Sequence, residues 1–157
     1  MYQAKENGRQ SYQFFKPAMN VRAVERQWIE ASLRRALKRN DFVRHYQPKV
    51  DLATKLISGV EALVRWNHPT RGLVPPAQLI PIAEDSGLIV PIGNWVLREA
   101  CAQGRAWQDA GLPVTTMAVN VSAMQLRDEH FLEGLFAILR ETGLDPTSLE
   151  LELRAFS

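Results

Sequence analysis

Three short runs of strand-forming residues are separated by stretches with helical spacing: "ISGVEALVRW" at 57–66, "TTMAVNVS" at 115–122 and "LELEL" at 149–153. This alternation constrains the fold more than any other feature of the chain. Strands that alternate with helices pair in parallel through crossover connections, which means an α/β barrel or a doubly wound sheet. Ahead of the first run, "DFVRHYQPKVDL" (41–52) is a further strand candidate, and "ATKL" between the two reads as the turn of a hairpin. Pro75 and Pro76 open a short helix, "AQLIPIAEDSG", closed by Gly87. A longer helix is predicted from Pro91 to Gly111, and another in "HFLEGLFAILRETG", stopped at Gly143.

The strands also carry charges where apolar residues are the rule. Alternate residues of a strand share a face. Val60, Ala62, Val64 and Trp66 therefore form one wholly apolar face, fit to pack under helices, whereas Glu61, Leu63 and Arg65 point the other way, into a barrel interior or crevice. Asn120 and Glu152 lie near the C-terminal ends of their own strands, the end that hosts sites in parallel α/β folds. An isolated buried carboxylate is costly. A divalent cation removes that cost, and two carboxylates with an amide oxygen are the hard donors that suit Mg²⁺ or Mn²⁺. Each residue has a plainer alternative: Glu61 and Arg65 as a structural ion pair, and Asn120 as a turn former or the cap of the short helix after Ser122.

Composition narrows the class without naming a partner. A chain of 157 residues, 46% hydrophobic and 23% charged, is that of an ordinary globular domain. Nineteen basic against seventeen acidic residues leave a net +2, too little to point to a nucleic-acid polymer or an anionic membrane. The apolar run "GLIVPIGNWVL" is broken by Pro91, Gly93 and Asn94 and falls short of the roughly 20 residues of a membrane span. "MYQAKENGRQ" lacks the apolar core of a signal peptide, and the single Cys101 suits a reducing compartment, so the cytoplasm is expected. Cys101 reads as packing, and Glu150 as structural. His45, His68 and His130 have no metal-ligand spacing.

Before the hairpin, residues 1–15 read as a polar helix tail stopped at Gly8 and a short strand "SYQFF". From a cap at Asn20, a connecting helix carries Val21, Val24, Trp28, Ala31 and Leu37 on its apolar side.

"EALVRW" at 61–66, preceded by "YQPKVDLATKLISGV" and followed by "NHPTRGLVPPAQLIPIAEDSGLIVPIGNWVLREAC", resembles the EAL-domain family of cyclic di-GMP phosphodiesterases, with "VNVSAMQL" and "LELEL" in order behind it. The resemblance implies a modified (β/α)₈ TIM-like barrel that opens cyclic di-GMP to linear pGpG by water attack at phosphorus, with two metals clamping the attacking and leaving oxygens. It implies Glu61, Asn120 and Glu152 as metal ligands, Arg65 on a phosphate, and Gln47 and Leu63 against the nucleotide. Residues 1–15 resemble the C-terminal end of a GGDEF (diguanylate cyclase) domain. The division expected is therefore a GGDEF remnant at 1–15, a linker helix at 16–31 and an EAL domain at 32–157.

Where the family continues from "LELEL" with Thr-Glu, this chain reads "RAFS". The resemblance then implies an incomplete barrel, its first half only, ended by truncation or frameshift. The paired aspartates, the lysine that activates water and later glutamate and glutamine positions are lost with the rest. No catalytic residue is expected in this fragment, which should be inactive and should dimerise or aggregate through an open sheet edge. The alternative is a degenerate module that binds nucleotide or a protein without turnover.

Overall fold

The computed structural model describes the backbone of residues 2–154 and side chains from residue 19 onward. The "AFS" terminus lies outside the described residues. Helix α1 (Tyr2–Arg39) is followed by β1 (Phe42–Val50), β2 (Ile57–His68) and β3 (Gly72–Val74). Then come α2 (Pro76–Asp85), α3 (Ile89–Asp109), β4 (Thr116–Val121), α4 (Ala123–Arg127), α5 (Phe131–Thr142) and β5 (Leu149–Leu153).

The expected break at Gly8, the strand at 11–15 and the cap at Asn20 give way to one continuous helix. A single interior glycine costs about 1 kcal/mol, too little to end a helix already nucleated on either side. The buried stripe of α1 also differs from the expected one. Ile29, Leu33 and Ala36 are buried, with Trp28 and Leu37 packed beside them, whereas Val21 and Val24 stay exposed. Among the described side chains, Met19, Val21 and Val24 precede the stretch of α1 that packs with α2 and so stay uncovered.

The hairpin forms as expected, β1 antiparallel to β2 with Gln47 opposite Glu61. Its turn is held by Asp51, whose Oδ1 accepts from the backbone N–H of Ala53 (2.8 Å) and Thr54 (3.1 Å), which lowers its carboxyl pKa. β3, too short to register in the sequence pattern, extends β2 antiparallel. β4 adds parallel to β2, and β5 parallel to β4 with Asn120 opposite Glu152. The sheet order is β1-β2-β4-β5, with β3 off β2, and the sheet is not closed among the described residues.

The two faces of β2 divide as the alternation requires. Val60, Ala62 and Trp66 are buried, while Glu61, Leu63 and Arg65 are half-buried on the opposite side. Val60 and Ala62 join Leu97, Ala100, Met117, Val119 and Ile138 in a core between the sheet, α3 and α5. Trp66 joins Leu33, Phe42, Leu79 and Ile92 in a second core beneath α1 and α2. At the β2–β3 turn the His68 Nδ1 accepts from the N–H groups of Thr70 (3.1 Å) and Arg71 (3.2 Å), which places the proton of the neutral ring on Nε2. Gly143 ends α5 at φ 75°, its N–H bonded to the Leu139 carbonyl at 2.9 Å.

Cys101 is fully buried against the first core, as expected, and burial pushes its thiol up to about 11. Its thiolate fraction near pH 8 is therefore low. Native chain is expected to react with iodoacetamide about a hundredfold more slowly than unfolded chain at that pH. Comparable alkylation rates, followed by mass, would show that α3 opens readily.

Candidate functional site

Parallel pairing sets the C-terminal ends of β4 and β5 beside the middle of β2, and so gathers Glu61, Asn120 and Glu152. Asn120 Nδ2 donates to Glu61 Oε1 at 2.8 Å across the β2–β4 pair. Asn120 and Glu152 are register partners across β4–β5. Three residues far apart in sequence thus form one polar cluster, with Asn120 and Glu152 near the ends of their strands and Glu61 in the middle of β2.

Two cations complete it, neither identified from the sequence. Lys49 Nζ, on β1, donates to Glu152 Oε1 at 2.6 Å and lies 3.5 Å from Glu150. Its ammonium pKa is raised, chiefly by the hydrogen bond with Glu152. Arg154 Nη2 donates to Glu61 Oε1 at 3.0 Å and lies 3.8 Å from Glu152 Oε2. The Glu61 side chain is only 12% exposed, and Asn120 and Arg154 supply hydrogen bonds to its Oε1. The structural ion pair considered for Glu61 exists, but its partner is Arg154. Arg65 turns instead to the carbonyl of Val64, at 2.9 Å.

Beside this cluster lies a cavity of about 310 Å³. Gln47, Glu61, Leu63, Arg65 and Asn120 all line it, whereas Glu152 stands behind Asn120 and is not part of the wall. The opposite wall is apolar: Pro76 and Ile80 of α2, and Ile89, Ile92 and Val96 of α3. A concavity with one polar and one apolar wall suits a flat, partly apolar ligand that carries negative charge.

The turn after Asn120 is fixed by a reciprocal cap at Ser122, not by the Asn120 cap that the sequence suggested. Ser122 Oγ accepts from Gln125 N–H (3.2 Å), and Gln125 Oε1 accepts from Ser122 N–H (3.0 Å). Gln125 is itself 3% exposed, with its amide laid over Gly93 of α3, where a Cβ would come within 1.7 Å of Nε2. The "S-x-x-Q" spacing carried that signal. Gly93 could not be assigned this role without knowing that α3 crosses α4.

The cluster can be tested as a metal position on its own atoms. Asn120 Oδ1 is buried with no hydrogen-bond partner, and with the Glu61 and Glu152 carboxylates it makes an all-oxygen donor set suited to a hard divalent cation. Among the described residues no group of three His, Cys, Asp or Glu side chains is gathered at one point. The residues present therefore fit part of a coordination shell.

This sheet, with two acidic side chains and an amide on three neighbouring strands, is that of an EAL domain. The EAL-domain family profile matches residues 30–155, and the chain belongs to that family. It is 46% identical over 153 residues to the bifunctional diguanylate cyclase/cyclic di-GMP phosphodiesterase MucR of Pseudomonas aeruginosa, covering 98% of this chain and 22% of that protein. To the cyclic di-GMP phosphodiesterase PdeR of Escherichia coli it is 43% identical over 153 residues, 98% of this chain and 23% of that one. Among solved structures, the MucR phosphodiesterase in complex with c-di-GMP superposes with a TM-score of 0.76 at 45% identity, covering 79% of this chain and 50% of that chain. The EAL enzyme Bd1971 with cAMP and cyclic di-GMP gives 0.77 at 32% identity, 83% of this chain and 37% of that one. The chain thus spans about a fifth of the length of these curated relatives. Its fold is of the TIM-barrel type, as expected. No helix among the described residues is long and apolar enough to cross a membrane.

Proposed function

We propose that this chain supplies the Glu61–Asn120–Glu152 side of a metal-dependent site that hydrolyses cyclic di-GMP to linear pGpG. The observation that carries the reading is the meeting of these three oxygen-bearing side chains on three neighbouring strands, with Asn120 Oδ1 buried and without a partner. Glu61, Asn120 and Glu152 would hold Mg²⁺ or Mn²⁺, which when bound supplies Lewis acidity at phosphorus. Arg65 would hold a phosphate, and Gln47 and Leu63 would border the nucleotide. MucR and Bd1971, to which the chain is similar, have been solved with cyclic di-GMP, and this supports the choice of ligand.

Within the described site, nothing is placed to take a proton from an attacking water. Both carboxylates are engaged by cations, and the amide is not basic. The chain alone is therefore expected to bind cyclic di-GMP without turning it over. Equilibrium dialysis with and without Mg²⁺, with the products separated by chromatography, tests this. Linear product that disappears with Glu61→Ala would overturn the inactivity, and no binding under either condition would overturn the site. The neutralised carboxylates equally favour a second reading, a module that binds nucleotide or a protein without chemistry.

Residues 1–15 are assigned to the end of a GGDEF domain. Similarity to the bifunctional MucR runs over 153 residues and so begins before the EAL match at residue 30, which supports that division.

Association follows from the surface around β5. Leu151 (37%) and Leu153 (63%) are exposed on this edge strand, and Leu132 (62%) and Phe136 (53%) on α5. Apolar strand edges template pairing with another chain. The chain is expected to sediment as a dimer or larger species at micromolar concentration, and a single monomeric boundary would contradict this.

A further inference from the structure

The two carboxylates of the cluster are bridged by a single nitrogen. Arg154 Nη2 lies 3.0 Å from Glu61 Oε1 and 3.8 Å from Glu152 Oε2, and Lys49 Nζ holds the other Glu152 oxygen at 2.6 Å. We infer that Arg154 is a tethered cation standing where a divalent ion would stand, so that the guanidinium and the metal are alternative occupants of the Glu61–Asn120–Glu152 cluster. The inference rests on the metal reading given above.

The charge balance makes the occupancy exclusive. Glu61, Glu152 and the flanking Glu150 face two positive side chains, Lys49 and Arg154, and a divalent ion added to that set would meet repulsion from a guanidinium at contact distance. The satisfaction of the oxygens gives each occupant a different advantage. A guanidinium offers donors in a fixed fork. Here it reaches the carboxylates and leaves Asn120 Oδ1 buried without a partner, an oxygen a metal ion would take up. The Arg154 side chain is 51% exposed, so it can move into water while Glu61, at 12%, stays in place. Arg65 cannot serve as the tethered cation, because its guanidinium is directed to the Val64 carbonyl. The identity of residue 154 therefore determines how readily the carboxylates accept a metal ion.

The test is Mn²⁺ binding to the whole chain, read as loss of the free-ion signal in electron paramagnetic resonance and checked by the shift of the thermal melt. Arg154→Gln is expected to bind Mn²⁺ roughly tenfold or more tightly than the unsubstituted chain, and Arg154→Thr likewise if the glutamine variant folds poorly. Arg154→Lys, which keeps the charge, is expected to bind as weakly as the unsubstituted chain. Arg98→Gln removes an equal charge from the α3–α5 pair with Glu141 and should leave the affinity within about twofold, which separates local from net charge. Equal Mn²⁺ affinities for the unsubstituted chain and both neutral variants would overturn the inference and leave the metal reading standing. Absence of Mn²⁺ binding in all of them would overturn both.

Discussion

In a hybrid that joins residues 30–153 to the part of the MucR phosphodiesterase chain beyond its match, Glu61→Gln should lower hydrolysis of cyclic di-GMP by roughly 10³-fold or more. The size of the effect follows from the place of Glu61 in the cluster. Its Oε1 is the acceptor common to Asn120 and Arg154, and its side chain is nearly buried. Glutamine is almost isosteric but neutral, so the cluster loses half of its negative charge while the fold is kept. The amide would also place an NH₂ group or a weaker acceptor against Asn120, turning the Asn120 side chain from the position its partnerless oxygen now holds. Turnover measured by product chromatography, with Mn²⁺ binding measured alongside, distinguishes loss of metal from loss of chemistry. A Glu61→Gln hybrid that keeps most of its rate would remove Glu61 from the metal position. A folded hybrid that binds Mn²⁺ and never turns over would place a further lesion in this chain.

The largest effect on stability is expected at Trp66. Its side chain is 1% exposed at the centre of the second core, 6.4 Å from the ring of Phe42 and 5.2 Å from that of His68. Trp66→Ala should cost about 3–5 kcal/mol, from lost burial and from the cavity left between α1, α2 and β2. For a domain of this size, that lowers the melting temperature by ~6–20 °C. Trp66→Phe should cost much less. The Trp66 Nε1–H is buried with no acceptor, so its removal relieves a desolvation penalty of about 1–3 kcal/mol that offsets part of the lost packing. Urea titrations of both variants provide the measurement. Equal losses for the two would mean that the indole N–H has a partner, and a small loss for the alanine variant would mean that the second core does not close over this side chain.

The success of the sequence reading depended on how locally each feature is determined. The β1–β2 hairpin, the stop at Gly143 and the division of β2 into an apolar and a polar face were legible, because turn chemistry and a period of two residues set them within a few positions. The convergence of Glu61, Asn120 and Glu152 was legible as well, since parallel pairing and the shared face of alternate residues decide which side chains of neighbouring strands meet. The buried stripe of α1 was not, because Val21 and Ile29 are equally apolar and only the arrival of α2 decides which of them is covered. The engagement of Glu61 by Arg154 joins residues 93 positions apart through the register of three strands, and no local pattern encodes it. The Gln125 amide over Gly93 depends on how closely α3 approaches α4, a distance that composition does not contain.

Helix α1 has a mechanical consequence. At about 1.5 Å per residue it is a rod of roughly 57 Å, held in its C-terminal half by the contacts of Glu25, Arg26 and Trp28. Glu25 pairs with Arg71 (3.2 Å), which also lies over the Trp28 ring at 4.2 Å, while Arg26 pairs with Asp85 at the end of α2. These links couple the rod at two points, to the β2–β3 turn and to the helix that supplies Pro76 and Ile80 to the cavity wall. Torsion applied to α1 would therefore reach α2, which lines the cavity with Pro76 and Ile80, through Asp85, whereas Glu61, Asn120 and Glu152 are seated on the sheet and are not among the partners of Glu25 and Arg26.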